Sequence, residues 1–337
     1  MNIYNPIYIE ECFIYDVFYN DENKYVLIGP MLNNYKLNIK INNIIYELKQ
    51  ISCHQRHTYV YISEKLNYYS NIDIIINDNQ IINIKVNQYP NLSGKILMST
   101  IVKDEDNYIC QWIEYHKFMG IDNFIIYDNS NKNTLSETLD KYIKDNTVIL
   151  INWQYPYIYL HSGISGQTTQ QNHSIYSFKN AKYIGLMDID EYLNPQIQQK
   201  KINDIFDEVI KTNNININNV GGFELVSKLF YNHDKKPENE YEFLKIIKCS
   251  DFCLTTRQKV FVIPKNVDIF SVHMIVSGKP KITIPTKILY FNHYMFLNKT
   301  DRGREKSDLL DLSMIKNIVE FNKYIQVYRK VLNLSPP

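Results

Sequence analysis

The segment Tyr183-Ile-Gly-Leu-Met-Asp-Ile-Asp-Glu-Tyr-Leu193 joins an apolar run to three acidic residues. The five residues from Tyr183 to Met187 are largely apolar and read as a buried strand, and its end carries Asp188, Asp190 and Glu191. Residues two apart in an extended chain point the same way. Asp188 and Asp190 are therefore expected to aim at one point just past the strand's carboxyl edge, where open α/β sheets bind ligands. Two hard oxygen donors at one point suit Mg²⁺ or Mn²⁺, which take one or two carboxylates and fill their other positions with water and substrate phosphates. An isolated D-x-D is more often an acidic turn that closes a strand. The flanking chain has to decide between the two.

Upstream, the texture from Lys95 alternates strands and helices. Ile96 to Val102 reads as a strand. A helix from about Asp106 places Ile109, Trp112, Ile113 and His116 on one face and stops at Gly120. Asn123 to Tyr127 is the next strand and ends at Asp128. Thr134-x-x-Glu137 is a capping box for a helix with Leu135, Leu139 and Ile143 inward. Thr147 to Ile151 is a third strand, and a helix from about Thr169 to Asn180 leads into the quoted stretch. This βαβ patterning predicts a mainly parallel sheet with helices on both faces. It puts Asp128 on the same edge as Asp188 and Asp190. Downstream the pattern loosens, with Asp204 to Lys211 helical, further short strands, and an amphipathic helix from Ser307 to Leu332.

Residues 1–93 differ. Short runs such as Lys24-Tyr-Val-Leu-Ile28 and His57-Thr-Tyr-Val-Tyr-Ile62, separated by Asn and Asp clusters, predict an all-β sandwich-like accessory domain, with residues 94–337 as the second domain. Its expected part is assembly or acceptor binding; His54 and His57, flanking Arg56, read as a solvated pair. The length of 337 residues fits two domains at roughly 150 residues each. A net charge of +1 gives no electrostatic case for nucleic acid or membrane partners. The five cysteines form no C-x-x-C pair, and the start has no basic or apolar leader pattern. No run of about 18 uncharged apolar residues occurs, so no transmembrane span is expected. These features fit a cytoplasmic protein, and the abundance of Asn, Ile and Tyr fits an AT-rich genome such as that of a giant virus.

Ordered motifs extend over about residues 95–306: Val102-Lys-Asp-Glu105, Trp112-Ile-Glu-Tyr-His116, Gly120, Tyr127-Asp-Asn129, Gln170 or Gln171, Asp188-Ile-Asp-Glu-Tyr-Leu193, Lys259-x4-Pro264, Val272-His273, His293-Tyr294 and Arg302-Gly303. They resemble the family 92 glycosyltransferases and their DUF23-like relatives. Asp104, where that family usually has Asn, and Tyr192, where Phe is commoner, depart from the pattern. The resemblance implies a GT-A fold: a Rossmann-like nucleotide-sugar domain whose D-x-D carries Mn²⁺ or Mg²⁺. It implies Asp188, Asp190 and His273 as metal ligands. Lys103, Asp104, Asp128, Asp188, Lys259, His293 and Arg302 would line the donor site, and Lys299 and Arg304 could add diphosphate contacts. It favours transfer of a hexose, with galactose the leading choice, from a UDP-sugar to a glycan or glycoprotein.

Inverting transfer needs a carboxylate base on the acceptor hydroxyl, and Glu224 and Asp251 are the candidates downstream of the metal motif. Plain readings stand beside these: Asp128 as an Asx turn, the late basic residues as a solvated loop, Trp112 and His116 as core packing, and Tyr155, Tyr157 and Tyr159 as packing or as sugar-stacking rings. Two other functions share the D-x-D strand. One is a haloacid-dehalogenase-like phosphatase with Asp188 as nucleophile. The other is an inactive GT-A-like glycan-binding scaffold.

Overall fold

The apolar runs of the N-terminal third fold into two stacked sheets. The computed structural model describes residues 6–9, 12–30, 35–53, 58–104, 106–131, 134–157, 165–197, 200–230, 248–250, 253–294 and 309–331. One N-terminal sheet has five strands, in the order Asn87–Gln88, Asp16–Tyr19, Tyr25–Gly29, Thr58–Ile62 and Lys49–Cys53. The other has four: Gln80–Lys85, Asn71–Ile76, Leu37–Ile41 and Ile44–Glu47. Val17, Tyr25, Leu27, Tyr59 and Tyr61 of the first sheet meet Leu37, Ile39, Ile72, Ile74 and Ile76 of the second in a common core. This is the sandwich expected from the alternating pattern.

The central strands of the first of those sheets have no solvated face. Tyr25–Gly29 and Thr58–Ile62 are buried at every position. Their alternate residues Val26, Ile28, Val60 and Ile62 join a second core with Ile125, Tyr127, Ile151, Trp153 and Ile175 of the chain beyond residue 94. A strand covered on both sides reads as a near-continuous apolar run, and Tyr-Val-Leu-Ile at 25–28 is one. The helices expected on both faces of the main sheet are thus supplemented by a sheet. The helices Asp106–Phe118 and Ile202–Thr212 pack on one face, through Trp112, Ile113, Ile205 and Phe206. The helix Ser165–Ser177 lies on the other, together with the sandwich.

The main sheet begins Val148–Asn152, Asn123–Asp128, Ile96–Val102, Tyr183–Leu186, and neighbours in this run are parallel. In chain order that is 3-2-1-4, so the direction of winding reverses between Ile96–Val102 and Tyr183–Leu186. A crevice opens at such a switch point outside the carboxyl ends of the strands. Leu254–Val262 then pairs antiparallel with Tyr183–Leu186, and Gly222–Phe230 antiparallel with Leu254–Val262. Glu191–Pro195 leaves this path and pairs with Leu289–Tyr294, which itself lies parallel to Gly222–Phe230. The architecture is a mixed α/β, GT-A-like sheet.

Two elements differ in extent from the sequence expectation. The helix opened by Thr134 is broken at Leu139 into Thr134–Thr138 and Asp140–Lys144, with Leu135 and Leu139 fully buried. The last helix is described over Ser313–Val331. Among the described residues no helix is long and apolar enough to cross a membrane.

Candidate active site

Tyr183–Leu186 stops before the acidic residues. Met187 still donates from its backbone N to Ser99 O at 3.3 Å, but residues 188–190 form a tight turn closed by Glu191 N to Asp188 O at 3.1 Å, and Glu191 opens a new strand. The same-side geometry expected for Asp188 and Asp190 therefore does not apply, because it needs extended backbone through both. The turn sends the two carboxylates to different partners. Asp188 Oδ2 lies 2.6 Å from Lys259 Nζ, and Asp190 Oδ2 lies 3.3 Å from His293 Nε2.

Glu191, which the motif reading left without a role, stands between them. Its Oε2 is 3.1 Å from Lys259 Nζ and accepts from Asp188 N at 2.9 Å, and its Oε1 is 3.9 Å from His293 Nδ1. Lys259 and Glu191 are each 1% exposed, whereas the Asp188 side chain is 41% exposed and faces the crevice. Carboxylates of Asp190 and Glu191 and the imidazole of His293 lie with ligand atoms within 4.8 Å of one another.

The electrostatics follow from this packing. Burial pushes the Glu191 carboxyl up to about 7, the Lys259 ammonium holding it down only in part while Asp188 adds to the rise. Burial of its carboxyl also works to raise Asp188, but Lys259 more than offsets this and keeps the carboxyl below its usual range. Burial disfavours the Lys259 ammonium, yet Asp188 and Glu191 hold it protonated above its ordinary value. His293 is likewise raised, burial being outweighed by Asp190. Lys259 pairs with Asp188 and Glu191 and His293 with Asp190, so three carboxylates gather at one turn as hard oxygen donors of the kind a divalent cation takes. Among the described residues the buried His293 Nδ1 has no hydrogen-bond partner, a state that buried nitrogens rarely keep. The donor chemistry and that nitrogen fit a hard divalent ion.

The other sequence candidates fall into place around this turn or away from it. His273 sits between the strands Val267–Ser271 and Met274–Gly278, its Nδ1 2.9 Å from Gln258 O. A carbonyl only accepts, so Nδ1 carries the proton and Nε2 presents a lone pair. Burial lowers its pKa, and the Lys259 charge lowers it further, which keeps the ring neutral as a metal ligand must be. Lys103 and Asp104 are exposed at the end of Ile96–Val102. Asp104 N donates to Ser130 Oγ at 3.0 Å, while Asp128 Oδ1 accepts from Ser130 N at 2.9 Å, so the first two strand ends are tied through Ser130. Asp128 makes the Asx turn that was its plain reading, on the predicted edge.

Lys259 differs from its expected part. A side chain with so little exposed surface cannot receive a diphosphate, and it holds the acidic turn instead. Glu224 is opposite Val260 in the register, and Leu225 is opposite Lys259, so Glu224 and Lys259 leave opposite faces of the sheet. Its carboxylate is taken up by Lys281 and by Thr283 Oγ1 at 2.7 Å. It is not brought to the acidic turn. Asp251, Lys299, Arg302, Arg304, Tyr159 and the His54/His57 pair lie outside the described residues.

Gln167 was missed by motif reading and touches the site: its Nε2 is 3.3 Å from Asp188 Oδ1, and its Oε1 accepts from Tyr157 OH at 2.6 Å. Tyr157 thus stands at the crevice, while Tyr155 stacks on Tyr15 of the sandwich at 3.8 Å between ring centroids. No sequence signal marks Gln167, since only the packing of its helix brings it to Asp188. The helix Asp106–Phe118 fixes the far side of the turn. Trp112 Nε1 donates to Glu191 O at 3.0 Å and Tyr115 OH to Leu193 O at 2.7 Å, and His116 Nε2 accepts from Leu193 N at 3.4 Å. Trp112 and His116 are core residues, as read, that also anchor the strand leaving the acidic turn.

Residues 98–331 match the sequence profile of Glycosyltransferase family 92. The chain belongs to glycosyltransferase family 92. The matched span contains the acidic turn, Lys259, His273 and His293, and so covers every element of the site. No curated protein sequence shows a significant match. Among solved structures the chain is similar to S. aureus TarS 1-349, with a TM-score of 0.34 and 11% identity over 59% of this chain. The chain spans 60% of the length of that structure. The family assignment rests on the sequence match. The phosphatase alternative places its nucleophile on the strand that opens the domain, whereas Asp188 follows the fourth strand of the parallel run and is ion-paired.

Proposed function

We propose that this family 92 chain transfers a hexose, galactose being the leading choice, from a UDP-sugar to a hydroxyl of a glycan or glycoprotein, with Mn²⁺ or Mg²⁺ and with inversion. The observation that carries the reading is the acidic turn at the strand switch point, where Asp188 and Glu191 share the buried Lys259 and Asp190 and Glu191 meet His293. Asp190, Glu191 and His293 are the donors that would hold the ion, His273 stands outside that group of ligand atoms, and Asp188 is the carboxylate that reaches the crevice. A divalent ion there supplies Lewis-acid stabilisation of the charge that grows on the leaving diphosphate.

The chain's own residues do the remaining work. Lys259 keeps Asp188 ionised and oriented, Gln167 holds its other oxygen, and Asp104 and Asp128, linked through Ser130, form the wall of the nucleotide side of the crevice. The acceptor hydroxyl must lose a proton to a carboxylate as the new glycosidic bond forms and the bond to the diphosphate breaks. With Glu224 tied on the other face of the sheet, Asp251 is the sequence candidate for that base.

A thermal-shift titration with UDP-galactose and UDP-glucose, with and without Mn²⁺, tests the reading, since a ligand bound to the native state raises the melting temperature by mass action. A shift that needs both sugar nucleotide and Mn²⁺ is expected, and Asp190→Ala should abolish it. The absence of any Mn²⁺-dependent shift would sink the proposal. A shift retained in Asp190→Ala would move the metal site elsewhere.

A further inference from the structure

A cleft of about 520 Å³ opens on the N-terminal sandwich, lined only by residues of that part of the chain. We propose that it binds a neutral oligosaccharide. The proposal takes its ligand class from the transferase reading, in which a glycan is the acceptor, and assigns to the sandwich a hold on a part of that glycan remote from the acidic turn.

The lining chemistry argues for a sugar. Tyr46, Tyr68 and Tyr69 contribute rings, Asn42 and Asn67 contribute amides, and Lys65 is the one charged side chain among the described lining residues. A pyranose has an apolar C–H face that packs on an aromatic ring and a rim of hydroxyls that needs both donors and acceptors. Tyrosine combines a large apolar surface with a polar tip, and asparagine offers donor and acceptor on one side chain. A polyanion would call for several cations to neutralise its charges, and the lining has one. Few polar groups among aromatic surfaces, in a concave site, is the ordinary composition of a small-molecule pocket.

The rings are held out to solvent by a built framework, so their exposure does not come from a loose loop. Tyr68 is 38% exposed and Tyr69 39%. The segment that carries them is fixed by the buried Tyr25, whose OH accepts from Tyr69 N at 2.6 Å and donates to Asn67 O at 3.0 Å. Tyr19 OH donates to Leu66 O at 2.7 Å, Leu66 N to Asn23 O at 2.9 Å, and the Tyr19 and Tyr68 rings lie 5.3 Å apart. The facing wall is the hairpin turn Asn42-Asn43, both in left-handed backbone conformation at φ 50° and 64°. Such a turn between paired strands is tight, and it sets Asn42 and Tyr46 across from the tyrosine pair. A pocket ordered before its ligand arrives loses less conformational freedom on binding.

The test is calorimetric titration of the full chain with maltohexaose, cellohexaose, chitohexaose and a poly-N-acetyllactosamine hexasaccharide, with a heparin hexasaccharide as the charged control. Saturable binding of at least one neutral hexasaccharide is expected, unchanged in Asp190→Ala and weakened at least tenfold (about 1.4 kcal/mol) in Tyr68→Ala and in Tyr69→Ala. If Tyr69→Ala lowers the melting temperature, Tyr68→Ala alone decides. No binding by any neutral hexasaccharide, binding untouched by Tyr68→Ala, or binding by heparin alone would overturn the proposal. Loss of sugar-nucleotide binding in Asp190→Ala is read separately in the thermal shift, so failure of the cleft and failure of the transferase reading leave different signatures.

Discussion

Lys259 shows how much one buried side chain can settle. Its ammonium is shared by Asp188 at 2.6 Å and Glu191 at 3.1 Å, and it fixes which carboxylate turns to the crevice and which stays beneath it. Removing one partner of a buried ion pair leaves the other charge uncompensated, which typically costs 3–5 kcal/mol. Lys259→Met should therefore lower the free energy of unfolding by about 3 kcal/mol or more, read as a fall in the urea midpoint at unchanged slope. An unchanged midpoint would mean that the acidic turn is held by its backbone bonds alone. At this scale the sequence revealed Asp188 and Asp190 but not their partners. Residues i and i+2 share a side only in a strand, and this one ends at Leu186, four residues short of Asp190.

Among the elements, the helix Asp106–Phe118 and the strand Tyr183–Leu186 position the turn from either side. His116 in the helix is fully buried, and burial drives its pKa down to about 3, although the bond to Trp112 O opposes this. The native state thus refuses a proton that the unfolded chain takes up near pH 6.5. The stability this group contributes is full above that pH and is lost as pH falls from about 6.5 towards 3, at up to about 1.4 kcal/mol per pH unit. Unfolding free energies measured across that range should be less steep in pH for His116→Asn by about one proton. Equal slopes would place the titration elsewhere. In the strand, a Cβ on Gly185 would meet the Phe261 ring at 2.7 Å. Gly185→Ala must displace that ring or bend the strand, an overpacking expected to cost about 1–3 kcal/mol. A melting temperature equal to the parent's would show that Phe261 yields without cost.

On the scale of the molecule, the sandwich is bound into the main sheet. Its first sheet gives one face to the sandwich core and the other to the helix Ser165–Ser177 and to Tyr127, Ile151 and Trp153. A buried polar chain crosses the junction: Asp16 Oδ2 accepts from Tyr89 OH at 2.6 Å and pairs with His173 Nε2 at 2.8 Å, and His173 Nδ1 lies 2.7 Å from Tyr127 OH. Tyr127 immediately precedes Asp128, so the sandwich bears on the sheet edge where Asp128 lies. A chain beginning at residue 94 would expose this apolar face and leave His173 without its carboxylate. It should aggregate or unfold rather than retain sugar-nucleotide binding, as size-exclusion chromatography and thermal melting would report. A stable, binding-competent fragment would show the two parts to be independent.

The chain order of strands and helices, the edge where Asp128 and the acidic residues gather, and membership of the family were all legible in the linear sequence. They rest on short-range periodicity and on ordered motifs, both local properties. The pairing of charges was not legible. Lys259 meets Asp188 across 71 residues, and Glu224 is turned from the site by a register between strands. Such contacts depend on how distant segments cross, which local preference does not encode. The same holds for the doubly buried sheet of the sandwich, whose continuous apolar runs became intelligible only against the surface that covers them. The sequence thus determined which residues reach the edge of the sheet, and the tertiary structure decided which of them meet.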